Sequence, residues 1–195
     1  MAEVALFHHA QGLTTGVGEF AERLRLAGHT VHTPDLYDGH VFGTLEEGLG
    51  YARDVGFDVL LENGRLAGTE LGEGLVYAGF SLGVMPAQLL AQTRPGAKGA
   101  LLFESCIPPS EFGGPWPAGV PVQVHGMDAD PIFAGDGDLD AARALVASTP
   151  DAELFVYPGN QHLFADASLP TYGEGAATLL TARAVSFLDA VSRTS

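Results

Sequence analysis

Short, unbroken apolar runs alternate with longer amphipathic stretches along the whole of this chain. Residues 4–7, 30–33, 75–80, 100–103, 120–124 and 154–157 read as about six strands, apolar or β-branched and bounded by turn residues. Most of them lack the in-out polar alternation of a half-solvated strand, which is what burial on both faces demands. Between the strands the period changes. Val17, Phe20, Leu24 and Ala27 share one face of a helix over residues 16–27, stopped by Gly28. Thr44 and Glu47 make a capping box that opens a helix running to about residue 64. Leu82, Met85, Leu89 and Leu90 mark a helix face directly after Phe80, with Pro86 tolerated in its first turn. Asp138 is expected to cap a helix carrying Leu139, Ala142, Leu145 and Val146, and a last helix over 176–191 buries Leu180, Ala184, Phe187, Leu188 and Val191. Strands alternating with helices predict an α/β fold, a mainly parallel sheet with helices on both faces. Nothing reads as a linker, a repeat or an inserted cap domain, so residues 1–195 are expected to form one domain.

One junction carries chemistry. Between the buried strand 75–80 and the helix that follows lies Gly79-Phe80-Ser81-Leu82-Gly83, a G-x-S-x-G elbow. A sharp strand-to-helix turn lifts the serine Oγ above the sheet, and glycines on either side leave room for the crossing backbone. A serine hydroxyl needs a base, and the base needs a carboxylate to fix its tautomer. In a fold of this type the order along the chain is Ser, then Asp or Glu, then His, each just beyond a strand's carboxyl end. Two segments qualify. Strand 120–124 is followed by His125-Gly126-Met127-Asp128-Ala129-Asp130, and strand 154–157 by Pro158-Gly159-Asn160-Gln161-His162. Ser81, Asp128 or Asp130, and His162 therefore stand in the required order. The N–H of Leu82, directly after the serine, is one expected oxyanion donor.

Composition narrows the partners. The formal net charge of −15 argues against nucleic acid and against anionic membrane surfaces. Cys106 is the only cysteine, which excludes an intramolecular disulfide and a thiolate metal cluster. No signal-peptide pattern or membrane-length apolar run occurs, so a cytoplasmic location is expected. No feature specifies an oligomeric state. His8 and His9 are adjacent on a strand end and point to opposite faces, so no metal site is expected there, and no cofactor is called for.

The pieces FHHAQG, PDLYDG, GFSLG, HGMDADPIF and YPGNQHLF together resemble the dienelactone hydrolase family of α/β hydrolases over nearly the whole chain. The resemblance implies an α/β-hydrolase fold and a triad of Ser81, Asp130 and His162, with Asp128 the runner-up for the acid. It also implies a second oxyanion N–H at Ala10, with Gln11 the neighbouring candidate. The chain departs from the family at two places. Dienelactone hydrolases proper use a cysteine where Ser81 stands, and they carry a glutamate in the first-strand loop where this chain has His9. A serine hydrolase cleaving a small ester or lactone is therefore expected, without a cofactor. The rivals are a thioesterase and a catalytically silent binding protein of the same fold.

Each residue has a plainer reading. Ser81 would serve as a helix N-cap, Asp128 and Asp130 as turn formers, His162 as a loop histidine. His125 is expected to be structural, and Cys106 a buried bystander. For the substrate pocket the candidates are His9, Gln11 and Glu104, with Phe112 and Trp116 from a Pro- and Gly-rich loop as its apolar lining.

Overall fold

A computed structural model describes residues 1–193; residues 194 and 195, counted in the single domain expected from sequence, lie outside the described residues. Six strands form one sheet: β1 (Glu3–Phe7), β2 (Thr30–His32), β3 (Val76–Phe80), β4 (Gly99–Phe103), β5 (Val122–Met127) and β6 (Ala152–Tyr157). Every neighbouring pair is parallel, in the order β2-β1-β3-β4-β5-β6. The helices are α1 (Thr15–Leu26), α2 (Leu45–Val55), α3 (Phe57–Glu70), α4 (Val84–Thr93), α5 (Asp138–Ser148) and α6 (Glu174–Arg193).

The pleat divides the strand side chains between two cores. Val4, Leu6, Ala78, Leu101 and Phe103 meet α1 and α6 through Phe20, Leu24, Leu180 and Leu188. Ala5, Phe7, Tyr77, Leu102 and Val124 meet the helices of the opposite face through Ala52, Leu60, Ala87, Leu90 and Leu145. Burial on both faces is why the strands read as continuous apolar runs. None of the described helices is long and apolar enough to cross a membrane.

Three expectations need correction. The helix opened by Thr44 does begin with a reciprocal capping box (Glu47 N to Thr44 Oγ1 at 3.2 Å, Thr44 N to Glu47 Oε2 at 3.1 Å), but it is two helices. Gly56, at φ 97°, breaks it, a conformation in which a Cβ is strained. Asp138 is not an N-cap: Gly137 precedes it at φ 102°, and the carboxylate instead accepts bonds from Ser105 Oγ (2.6 Å) and the Cys106 N–H (3.2 Å). Lastly, Met85 and Leu89 are half-buried, and the buried face of α4 runs through Val84, Ala87, Leu90 and Ala91. A 3-10 turn over Ser81–Gly83 precedes α4, and its tighter winding rotates the face away from the register a continuous α-helix would have.

Pro86 falls in the first turn of α4, where its missing N–H leaves no bond unmade. It also packs α4 close to α3, since a Cβ on Gly64 would meet the Pro86 ring and one on Gly68 would meet Leu90. The elbow glycines are needed for the same kind of contact. A Cβ on Gly79 would strike the carbonyl of Gly83, and one on Gly83 the carbonyls of Phe7 and His8 at the end of β1. Gly79→Ala should therefore cost about 3 kcal/mol or more of stability through backbone overpacking. Urea unfolding of the two proteins measures this, and a loss under about 0.5 kcal/mol would mean the elbow relaxes freely.

Candidate active site

Three parallel strands deliver the candidate reacting groups to one end of the sheet. Ser81 follows β3 directly, at φ 47°, a left-handed conformation that non-glycine residues seldom adopt. Its Oγ lies 2.9 Å from His162 Nε2. His162 stands on the loop after β6, and its Nδ1 is 2.7 Å from Asp130 Oδ2. Asp130, beyond β5, is fully buried, and its other oxygen accepts the Ile132 N–H at 2.8 Å. Asp128 is exposed and points elsewhere, accepting the Gly159 N–H at 3.0 Å, which ties the β5 loop to the β6 loop.

Burial works against protonation of His162, but the hydrogen bond to Asp130 and the negative charges of Glu104, Asp130 and Asp138 outweigh it. The pKa of His162 is held above its ordinary 6.5. A neutral His162 with Nδ1–H given to Asp130 presents a bare Nε2 to the serine hydroxyl.

The loop after β1 approaches from the other side. His9 is fully buried, with Nε2 2.8 Å from Asp166 Oδ2, while its Nδ1 accepts the Gln11 N–H at 3.2 Å. Asp166 also receives the hydroxyls of Thr14 and Ser168. Burial opposes its charge, but the bonds from His9, Ser168 and Thr14 carry its pKa down to about 2. Gln11 thus has its N–H engaged, whereas the Ala10 N–H finds no acceptor among the described residues, and Leu82 lies in the first turn after β3, where helical N–H groups have no intrahelical partner. Gly48 of α2 backs this loop, because a Cβ there would land on the Ala10 carbonyl.

A cavity of about 260 Å³ opens over Ser81, walled by Leu49, Phe57, Leu82, Met85, Ile107 and Ile132, with Glu104, Ser105 and Asp138 as its polar groups. Larger hollows of about 410 and 550 Å³ run along α6 and share no residue with this one. Among the described residues, no three His, Cys, Asp or Glu side chains converge as a metal site would require.

The dienelactone hydrolase family model matches residues 2–192. The chain belongs to the dienelactone hydrolase family. It is a hydrolase acting on ester bonds. A comparison with curated proteins found no match. Among solved structures, a dienelactone hydrolase from Anabaena variabilis superposes with a TM-score of 0.69 at 20% identity, over 95% of this chain and 84% of that one. A dienelactone hydrolase-like promiscuous phosphotriesterase from metagenomic libraries gives 0.71 at 19%, over 98% and 87%. A metagenome-derived lipolytic enzyme gives 0.68 at 14%, over 96% and 93%. These likenesses show a shared α/β-hydrolase fold.

Several pocket candidates lie elsewhere in this hydrolase. Trp116 packs into the core and donates its indole N–H to Val120 O at 2.7 Å, and Phe112 ends a 3-10 turn away from the cavity. His9 and Gln11 stand behind the cavity and shape the Ala10 loop, with Gln11 Nε2 bonded to Phe42 O. Glu104 does line it. His125 is buried, bonded to Tyr157 OH at 2.9 Å, and burial drives its pKa down to about 3. Cys106 is buried, its thiol pushed up to about 12 by burial. Sequence reading missed Asp166 and the walls from Leu49 and Phe57. The Asp166-Ala167-Ser168 turn signature was visible, but nothing local to it tells that the carboxylate reaches a residue 157 positions earlier.

The pKa shifts give two expectations. Activity that needs neutral His162 should be full above its raised pKa and fall as pH drops through it, so the acid limb of kcat/KM should lie above 6.5. Glu104→Gln removes one of the charges holding it up and should move that limb to lower pH, which a pH–rate profile of both proteins checks. Asp166, depressed from 3.8 to about 2, contributes about 2 kcal/mol that is present above pH 4 and lost as pH falls through 2. Asp166→Asn should remove that acid dependence from urea unfolding.

Proposed function

We propose that this hydrolase cleaves a small ester or lactone through an acyl-enzyme intermediate. Ser81 is the nucleophile, His162 the general base and Asp130 the residue that orients it. The observation that carries this reading is the continuous hydrogen-bonded line from Ser81 Oγ through His162 to Asp130. The left-handed backbone at Ser81 supports it, because such strain persists only where the surrounding structure imposes it.

Each step then follows. As Ser81 Oγ bonds to the substrate carbonyl carbon, its proton passes to His162 Nε2 and the carbonyl π electrons move to oxygen. The N–H groups of Leu82, in the first turn after the serine, and of Ala10 receive that oxyanion. Collapse breaks the carbon–oxygen bond to the leaving alcohol, which takes the proton from His162. Water then attacks the acyl-serine ester, its proton going to His162, and the second collapse returns a proton to Ser81 and frees the acid. Asp130 stays ionised throughout and balances the charge on the imidazolium.

The small cavity fits a short acyl or lactone ring better than a long chain. Incubation with a small serine-directed organophosphonate should add one adduct to the intact protein, absent from Ser81→Ala. A folded, unlabelled wild-type protein would overturn the nucleophile assignment. Asp130→Asn should lower turnover of a small ester on the order of 10³–10⁴-fold. Asp128→Asn should stay within a few-fold of the wild type, and the reverse ranking would transfer the acid to Asp128.

A further inference from the structure

Ser81 has a counterpart one strand away. β3 and β4 are paired with Phe80 opposite Phe103, so the next residues on each, Ser81 and Glu104, sit side by side at the carboxyl edge of the sheet. Neighbouring strands lie about 4.8 Å apart. Glu104 is also left-handed, at φ 62°, and its N–H is tied to His125 O at 2.6 Å. Glu104, in a conformation so seldom used by a glutamate, is one of the residues that wall the cavity over Ser81.

The carboxyl group is fully buried, and neither of its oxygens has a hydrogen-bond partner among the described residues. The Phe164 backbone N–H draws on it without reaching bonding geometry. The other acidic groups nearby are in a different state. Asp130 is bonded to His162 and Ile132, and Asp138 to Ser105 and Cys106. A buried carboxyl with no partner in the chain is costly, and such a group calls for a partner from outside it, a bound molecule, water or ion. Burial, against the pull of His162, lifts its pKa to about 7, so both protonation states are accessible near neutrality.

We propose that Glu104 is the polar anchor of the substrate site, binding a hydroxyl that the substrate carries two or three atoms from the carbonyl attacked by Ser81. This rests on the reading of Ser81 as nucleophile. A hydroxyl suits the position because it donates to a carboxylate and accepts from a carboxylic acid, and so it satisfies either form. The residues walling the cavity include two acidic ones and no lysine or arginine, so a substrate carboxylate meets repulsion there.

The test is kcat/KM for four methyl esters of similar size: butyrate, 3-hydroxybutyrate, 3-aminobutyrate and the succinate half-ester. The hydroxy ester should exceed butyrate by about tenfold or more, with the half-ester poorest. Glu104→Met should abolish the preference for the hydroxyl. Glu104→Gln, whose amide both donates and accepts, should keep that preference while narrowing the discrimination against the half-ester. Should the methionine variant not fold, the wild-type series and the glutamine variant decide. Equal turnover of butyrate and 3-hydroxybutyrate would overturn the anchor, and so would a preference that survives in Glu104→Met. An ammonium ester that outruns the hydroxy ester would make Glu104 a cation site instead. Organophosphonate labelling of Ser81 separates the two levels. A labelled Ser81 with no hydroxyl preference, or with none of the four esters turned over, sinks the anchor alone. An unlabelled Ser81 sinks the nucleophile reading and the anchor with it.

Discussion

The site depends on how closely the backbone after β3 can press against the end of β1. Gly83 comes so near the carbonyls of Phe7 and His8 that no side chain fits between, and Gly79 in turn lies under the Gly83 carbonyl. That double contact folds the chain back within one 3-10 turn. It leaves Ser81 at the apex with a left-handed backbone, costing on the order of 1–3 kcal/mol that the packed sheet must offset. Without the approach the turn widens and Ser81 Oγ leaves the reach of His162. The N–H of Leu82 would also lose its direction over the sheet edge. Two absent methyl groups thus decide whether a parallel sheet is a scaffold or a site.

The rest of the site is held from a distance. Asp166, with His9, Thr14 and Ser168 bonded to it, pins the loop after β1, and His9 in turn occupies the Gln11 N–H. The Ala10 N–H is left as the unengaged one. Gly16 at the start of α1 lies so near Asp166 that a Cβ would overlap its carboxylate, which locks α1 to the same anchor. A carboxylate with a pKa near 2 is a rigid fixture at any working pH. It orders a backbone donor without touching the reacting atoms. Both ring nitrogens of His9 are therefore spent on shaping the loop.

How much of this was legible in the sequence follows from where the information sits. Strands buried on both faces leave long apolar runs, so the parallel sheet and its two helical layers could be read directly. The elbow could be read because its glycines and serine are consecutive. His162 and Asp130 could be placed because each lies just past a strand, though spacing alone left Asp128 open. Only the tie from Asp128 to the Gly159 N–H shows that carboxylate pointing elsewhere. The break at Gly56 escaped notice because Gly48, Gly50 and Gly64 lie in the same amphipathic stretch without interrupting a helix, a glycine there being tolerated at a cost of about 1 kcal/mol. Trp116 was assigned to the pocket by composition, yet a large ring on a Pro-rich loop packs into the core as readily as over a cavity. The cavity walls from α2 and α3 come from segments with no sequence mark of proximity to Ser81.

Glu104 and Asp130 show why environment rather than residue type assigns roles to carboxyl groups. Both are fully buried within one small site. Asp130 is surrounded by donors, from His162 on one oxygen and Ile132 on the other, so its hydrogen-bonding capacity is spent inside the site. Glu104 has no such donors, so its proton is loosely decided near neutrality and its hydrogen-bonding capacity is unspent. A fold that needed only a filled cavity would place an apolar side chain at that strand end, in a relaxed backbone, at lower cost. The proposed substrate contact accounts for a carboxyl kept there, in a strained conformation and one strand from Ser81. On the proposed reading the first carboxyl orients the base, and the second sets which ester meets it.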